Sequence, residues 1–99
     1  SPVILSPRAK RELIRIVDWW QESTGEPPAL LFAELREAAR RLGALPHHGT
    51  RFAVVRGRVV FRLLLREAQV HVYYRVDDDA IRVLSLWSTA RKREPRVGS

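Results

Sequence analysis

The chain contains no cysteine. That excludes disulfides, thiolate metal sites and a thiol nucleophile, and it fits a reducing compartment without requiring one. It also lacks any apolar run near the ~20 residues that a membrane-spanning helix needs, so no membrane association is expected. The opening SPVILSPRAKREL has no charged-then-apolar signal layout, and a cytoplasmic location is the expectation. The common catalytic fingerprints are missing: there is no GxGxxG, Walker A, HExxH or GxSxG pattern. No internal repeat or low-complexity stretch breaks the chain.

What the chain has in excess is arginine. Its net charge is +7, from 18 basic and 11 acidic residues, and sixteen of the basic ones are Arg. Residues 1–42 hold seven basic and six acidic side chains, whereas residues 43–99 hold eleven and five, so +6 of the charge lies in the second part. Such asymmetry points to an acidic or polyanionic partner. Arg suits that task, because its planar fork matches carboxylate and phosphate. A codon bias towards Arg would give the same excess, so the placement of the arginines carries the reading. At 99 residues, 45% hydrophobic and 29% charged, the chain has the size and composition of one globular domain.

Val3-Ile4-Leu5 reads as a short strand. Ser6-Pro7 then marks a helix start, with Ser as N-cap and Pro at the first helical position. Ala9, Leu13, Ile16, Val17 and Trp20 recur on one helical face, and Thr24-Gly25 closes the helix. A second helix opens at Pro27-Pro28, carries the stripe Leu31, Phe32, Leu35, Ala38, Ala39 and Leu42, and should end at Gly43. About four residues separate the two, which predicts a helix hairpin. After the loop Leu45–Gly49 the period falls from 3.6 to 2. Phe52, Val54 and Val55 suggest a modest strand turned at Gly57. The runs 59–66, 70–76 and 80–87 follow as strands joined by Glu67-Ala68-Gln69 and Asp77-Asp78-Asp79. Residues 90–99 show no apolar pattern and are expected to fray or to order only on a partner.

Strand alternation assigns the faces. Phe61, Leu63, Leu65, Val70, Val72, Tyr74, Ile81, Val83, Ser85 and Trp87 should face the helices. Arg62, Leu64, Arg66, His71, Tyr73, Arg75, Arg82, Leu84 and Leu86 should line the second face. Two helices cover one face of such a sheet, so this mixture of cations, aromatics and aliphatics should be open and suited to binding.

Few residues carry chemistry. His47 and His48 are adjacent, which is poor geometry for chelation, and no metal or cofactor is expected. The three aspartates read as a turn, and Trp19, Trp20 and Trp87 as core or core edge. Arg62, His71, Tyr73 and Arg75 lie on neighbouring strands of one face. Arg could stabilise phosphoryl charge, and His or Tyr could move protons. The same four residues also describe an ordinary solvated sheet surface.

The element order, together with LSPRAKREL, LPHHG and VHVYYRVDDDAIRVLSLW, resembles the RelE/ParE superfamily of bacterial toxins, over roughly residues 3–90. The resemblance implies an α+β fold with a helix hairpin on one face of a small antiparallel sheet, β-α-α-β-β-β(-β). The domain would span residues 1–89, with 90–99 a basic tail. It also implies a toxin neutralised by a cognate antitoxin. RelE-like members cleave mRNA in the ribosomal A site, whereas ParE-like members poison DNA gyrase. In RelE-like sites the central strands carry basic residues and the C-terminus an Arg and usually a Tyr. Arg62 matches the first basic position, but the next falls on Leu64 and the following strand offers His71. The tail ARKREP has no Tyr, and Ser88 stands where many relatives have His. These departures favour a ParE-like gyrase inhibitor, which would not be an enzyme. The alternative is a RelE-like ribonuclease using Arg62, His71, Tyr73 and Arg75, and a second alternative is a non-toxic basic nucleic-acid-binding module. The expected target contacts are Arg62, Arg66, Arg75, Arg82, Arg91, Lys92 and Arg93, and the expected antitoxin contacts are Leu64, Leu84 and Leu86.

Overall fold

A computed structural model describes residues 2–90 and 94–98. Helix α1 runs from Pro7 to Thr24. The Ser6 hydroxyl accepts from the Ala9 backbone N–H at 3.0 Å, satisfying an otherwise orphaned donor of the first turn. Gly25 ends the helix at φ 78°, a left-handed conformation that costs glycine little. Helix α2 covers Ala29–Ala44 and runs through Gly43, which was expected to stop it. Its closing bond is instead donated by Leu45 N–H to the Arg41 carbonyl at 2.7 Å.

The strands are β1 (Val3–Leu5), β2 (Thr50–Val55), β3 (Arg58–Leu65), β4 (Val70–Val76) and β5 (Ile81–Ser88). They form one sheet in the order β1-β5-β4-β3-β2. The last four make an antiparallel meander. β1 adds a parallel edge beside β5, with Val3 opposite Ile81, so the expected antiparallel sheet is mixed. Parallel neighbours need a long connection, and here both helices and three strands supply it. Arg56 and Gly57, at φ 53° and 77°, form the two-residue turn between β2 and β3, the left-handed pair that matches strand twist. Both helices lie on one face, α1 chiefly over β5 and α2 over β3, which gives the α+β arrangement expected from the sequence. Ala9, Leu31, Leu42, Val70, Val72, Tyr74, Ile81 and Val83 are buried between the layers.

A bulge changes which side chains face the helices. Tyr73 pairs with Ser85 and Tyr74 with Val83, leaving Leu84 as an extra residue on β5. One extra residue shifts the alternation by one for everything beyond it. Leu86 therefore pairs with Val72 and enters the core at 2% exposure. Ser85 and Trp87, expected in the core, instead oppose Tyr73 and His71 on the second face. Ile81 and Val83, which precede the bulge, face the helices as expected. Trp19 also departs from expectation: it is 60% exposed.

The second face is not open. Val60, Tyr73 and Ser85 are buried although no helix covers them. The chain end returns over this side. Pro95 is buried, Glu94 pairs with Arg62 at 3.1 Å, and the Arg8 guanidinium donates to the Arg96 carbonyl. A Cβ added at Gly98 would stand 3.3 Å from a Val55 methyl. Residues 94–98 are thus packed on the sheet, against the expectation of a frayed tail.

Candidate functional site

The centre of the second face is built by β2, β3 and β4. Arg62 pairs with Tyr73, and Leu64 with His71. Phe52 sits in an irregularity of β2, where Arg51 pairs with Phe61 and Ala53 with Val60. Its ring packs edge-on against Tyr73 at 4.7 Å, and the Arg62 guanidinium lies 5.3 Å above the Phe52 ring, a cation–π distance. His71 meets Tyr73 edge-on at 6.1 Å. Burial lowers the His71 pKa, the Arg62 charge lowers it further and Glu94 opposes both. Burial and the Arg62 charge thus both favour the neutral imidazole.

Arg62, His71 and Tyr73 are brought together as the alternation predicted, whereas Arg75 is held apart. Its Nε and Nη2 donate to the two oxygens of Asp77 at 2.8 and 3.1 Å. Arg82 donates to Asp77 at 2.8 Å and to Asp79 at 3.0 Å, and Arg58 reaches Asp77 at 2.6 Å. Three guanidiniums converge on one carboxylate whose side chain is 8% exposed. The Arg75 hydrogen bond leads in holding the Asp77 pKa below its ordinary value, against the opposing effect of burial. Asp77 is thus more than a turn residue. Its placement after β4, within reach of arginines from three strands, depends on sheet register, which no local spacing in the sequence specifies.

Leu64 is 39% exposed and Leu84 is partly exposed, while Leu86 offers little surface to a partner. Arg66 is exposed at the end of β3. Arg91, Lys92 and Arg93 lie outside the described residues. Tyr73 is 1% exposed, so its phenol is shielded from solvent. No group of three or more His, Asp or Glu side chains among the described residues could hold a metal ion, and no helix among them is long and apolar enough to cross a membrane.

A groove of about 550 Å³ lies between α1 and the β3–β4 turn, with Ile16, Trp19, Trp20, Ala68 and Leu86 in its walls. Glu12 also lines it and is 8% exposed. Its carboxylate accepts from the Leu86 N–H at 3.3 Å and pairs with Arg8 at 3.6 Å. Sequence reasoning passed over Glu12, although an acid between Ala9 and Ile16 on the apolar stripe was a visible signal. It also passed over Glu34, which accepts from the N–H groups of Glu67 and Ala68 at 3.1 and 2.7 Å and fixes the β3–β4 turn to α2.

The face can grip an acidic segment by charge, aromatic contact and apolar contact. As a proton-transfer site it is constrained, because the Tyr73 phenol is buried and Arg75 is committed to Asp77. No curated protein matches the chain. Residues 3–93, most of its length, match the family described as ParE toxin of type II toxin-antitoxin system, parDE, and the chain belongs to that family.

Proposed function

We propose that this ParE-family toxin acts by inhibiting DNA gyrase and that its cognate antitoxin neutralises it. The observation that carries this reading is the state of the second face. A ribonuclease of the RelE type would need several groups free to stabilise phosphoryl charge and move protons. Here Arg75 is committed to Asp77, Tyr73 is buried, and Leu64 occupies a position where a second base would help. Losing one such group commonly costs about 10²-fold in rate. Arg62, Arg66 and the basic run 91–93 would then contact the target protein, where Arg is a frequent anchor, Arg82 being tied like Arg75 to Asp77. Leu64 and Leu84 would contribute apolar surface to the antitoxin contact.

A second reading keeps the ribonuclease, because Arg62, His71 and Tyr73 do lie side by side. One experiment separates the two. Purified protein is assayed for supercoiling by gyrase and for cleavage of mRNA on programmed ribosomes. The expected result is lost supercoiling with intact mRNA. Codon-specific cuts that disappear in Arg62→Ala or His71→Ala would establish the ribonuclease instead.

A further inference from the structure

The underside of the chain end and the second sheet face together make a small site that the toxin reading does not explain. A cavity of about 320 Å³ lies where Val97 and Gly98 meet Val55, Val60 and Leu84, with Arg56, Arg58 and Arg75 at its rim. Next to it, Arg62 holds the Glu94 carboxylate at 3.1 Å, and Pro95 is buried. Ser85, paired with Tyr73 on this face, is fully buried and its hydroxyl has no hydrogen-bond partner among the described residues. The seated segment is Glu94-Pro95-Arg96-Val97-Gly98. It puts an acid on a basic residue and, three positions on, an apolar side chain at a cavity with apolar walls.

We infer that this face is a peptide-binding groove, occupied in cis by residues 94–98, and that it accepts in trans an extended acidic segment of a partner protein with an acid followed three residues later by an aliphatic side chain. The inference rests on the antitoxin reading for the source of the segment, but not for the chemistry of the groove. The cis segment is a poor occupant in one respect. Its Arg96 adds a cation to a segment that lies on Arg62 and near Arg56, Arg58 and Arg75 being already paired with Asp77, so a segment with an acid there would be complementary. A protein segment fits better than a nucleic acid, because Val55, Val60 and Leu84 form the walls and offer no donors to bases or sugars. A tethered segment competes at a high effective concentration, so the apparent affinity for an outside peptide falls in proportion to the fraction of grooves left empty.

The test uses the full chain and a blocked peptide, acetyl-Asp-Glu-Pro-Asp-Val-Gly-amide, titrated by calorimetry and by backbone NMR shifts. Glu94→Lys removes the attraction that holds the tail, and Val97→Lys releases its other end. Both are expected to bind the peptide about tenfold more tightly than the unaltered chain, as an empty fraction near a tenth rises towards one. Shifts should centre on Val60, Tyr73 and Leu84, and adding Arg62→Glu to the Val97→Lys variant should abolish binding. Equal affinity in released and unaltered chains would overturn the inference. So would shifts confined to the groove between α1 and the β3–β4 turn, or a face that binds an oligouridylate while ignoring the peptide. An antitoxin that fails to bind the toxin, alongside a peptide that binds as described, would refute the source and leave the groove standing.

Discussion

Leu84 and Leu86 show how much depends on one residue. By alternation they belong to the same face, yet the bulge sends Leu86 into the core and leaves Leu84 beside the chain end. Leu86→Ala should therefore cost roughly 2–5 kcal/mol, as expected for a buried leucine. Leu64→Ala, at 39% exposure, should change stability by less than about 1 kcal/mol. Denaturant melts of the two variants would check this, and equal losses would mean that β4 and β5 pair without the bulge. Gly49 is a residue of the opposite kind, needed for what it lacks. An added Cβ would stand 2.7 Å from the Tyr74 hydroxyl and 2.8 Å from the Arg62 carbonyl. Only a bare Cα lets the Gly49 N–H reach that hydroxyl at 2.8 Å.

Among the elements, the β4–β5 hairpin is tied by charge more than by its turn. Asp77 collects Arg58 from β3, Arg75 from β4 and Arg82 from β5. Since its folded pKa is lowered, the folded chain holds the proton less tightly than the unfolded one. The stabilisation is fully present above the ordinary carboxyl value and is lost as pH falls through the lowered one. Asp77→Asn should thus reduce Tm by several degrees at pH 7, and the gap from the unaltered protein should close as the pH drops below about 4. A gap that persists undiminished in acid would mean that shape, not charge, holds the hairpin. The helices were the most legible elements. Ser6-Pro7 and Gly25 are local signals with local causes, and both act as capping chemistry requires. Gly43 misled because glycine permits a left-handed turn without enforcing one.

For the molecule as a whole, the charge of +7 is a long-range property that needs no particular fold. It should steer an acidic partner and be screened by salt. With the protein encoded beside this one as ligand, the association rate should fall about tenfold or more between 50 and 500 mM salt, while the dissociation rate changes less. An association rate indifferent to salt would show that the basic half does not guide the encounter.

The sequence by itself determined the α+β class, the order of elements, the helix boundaries to within a few residues, the basic character of the second part and the family resemblance. The resemblance rests on the motifs LSPRAKREL, LPHHG and VHVYYRVDDDAIRVLSLW; the rest follow from composition, periodicity and capping, which act over a few residues at a time. The candidate face was legible in part: Arg62, His71 and Tyr73 share it as alternation requires, because no irregularity intervenes between them along β3 and β4. Only the tertiary structure decided that Leu86 and Trp87 exchange faces, that Arg75 belongs to Asp77, that β1 pairs with β5, and that residues 94–98 cover the sheet. Each depends on partners far apart in the chain. A bulge is settled by how two strands fit across a hairpin, and a tail finds its place only after the face it covers has formed.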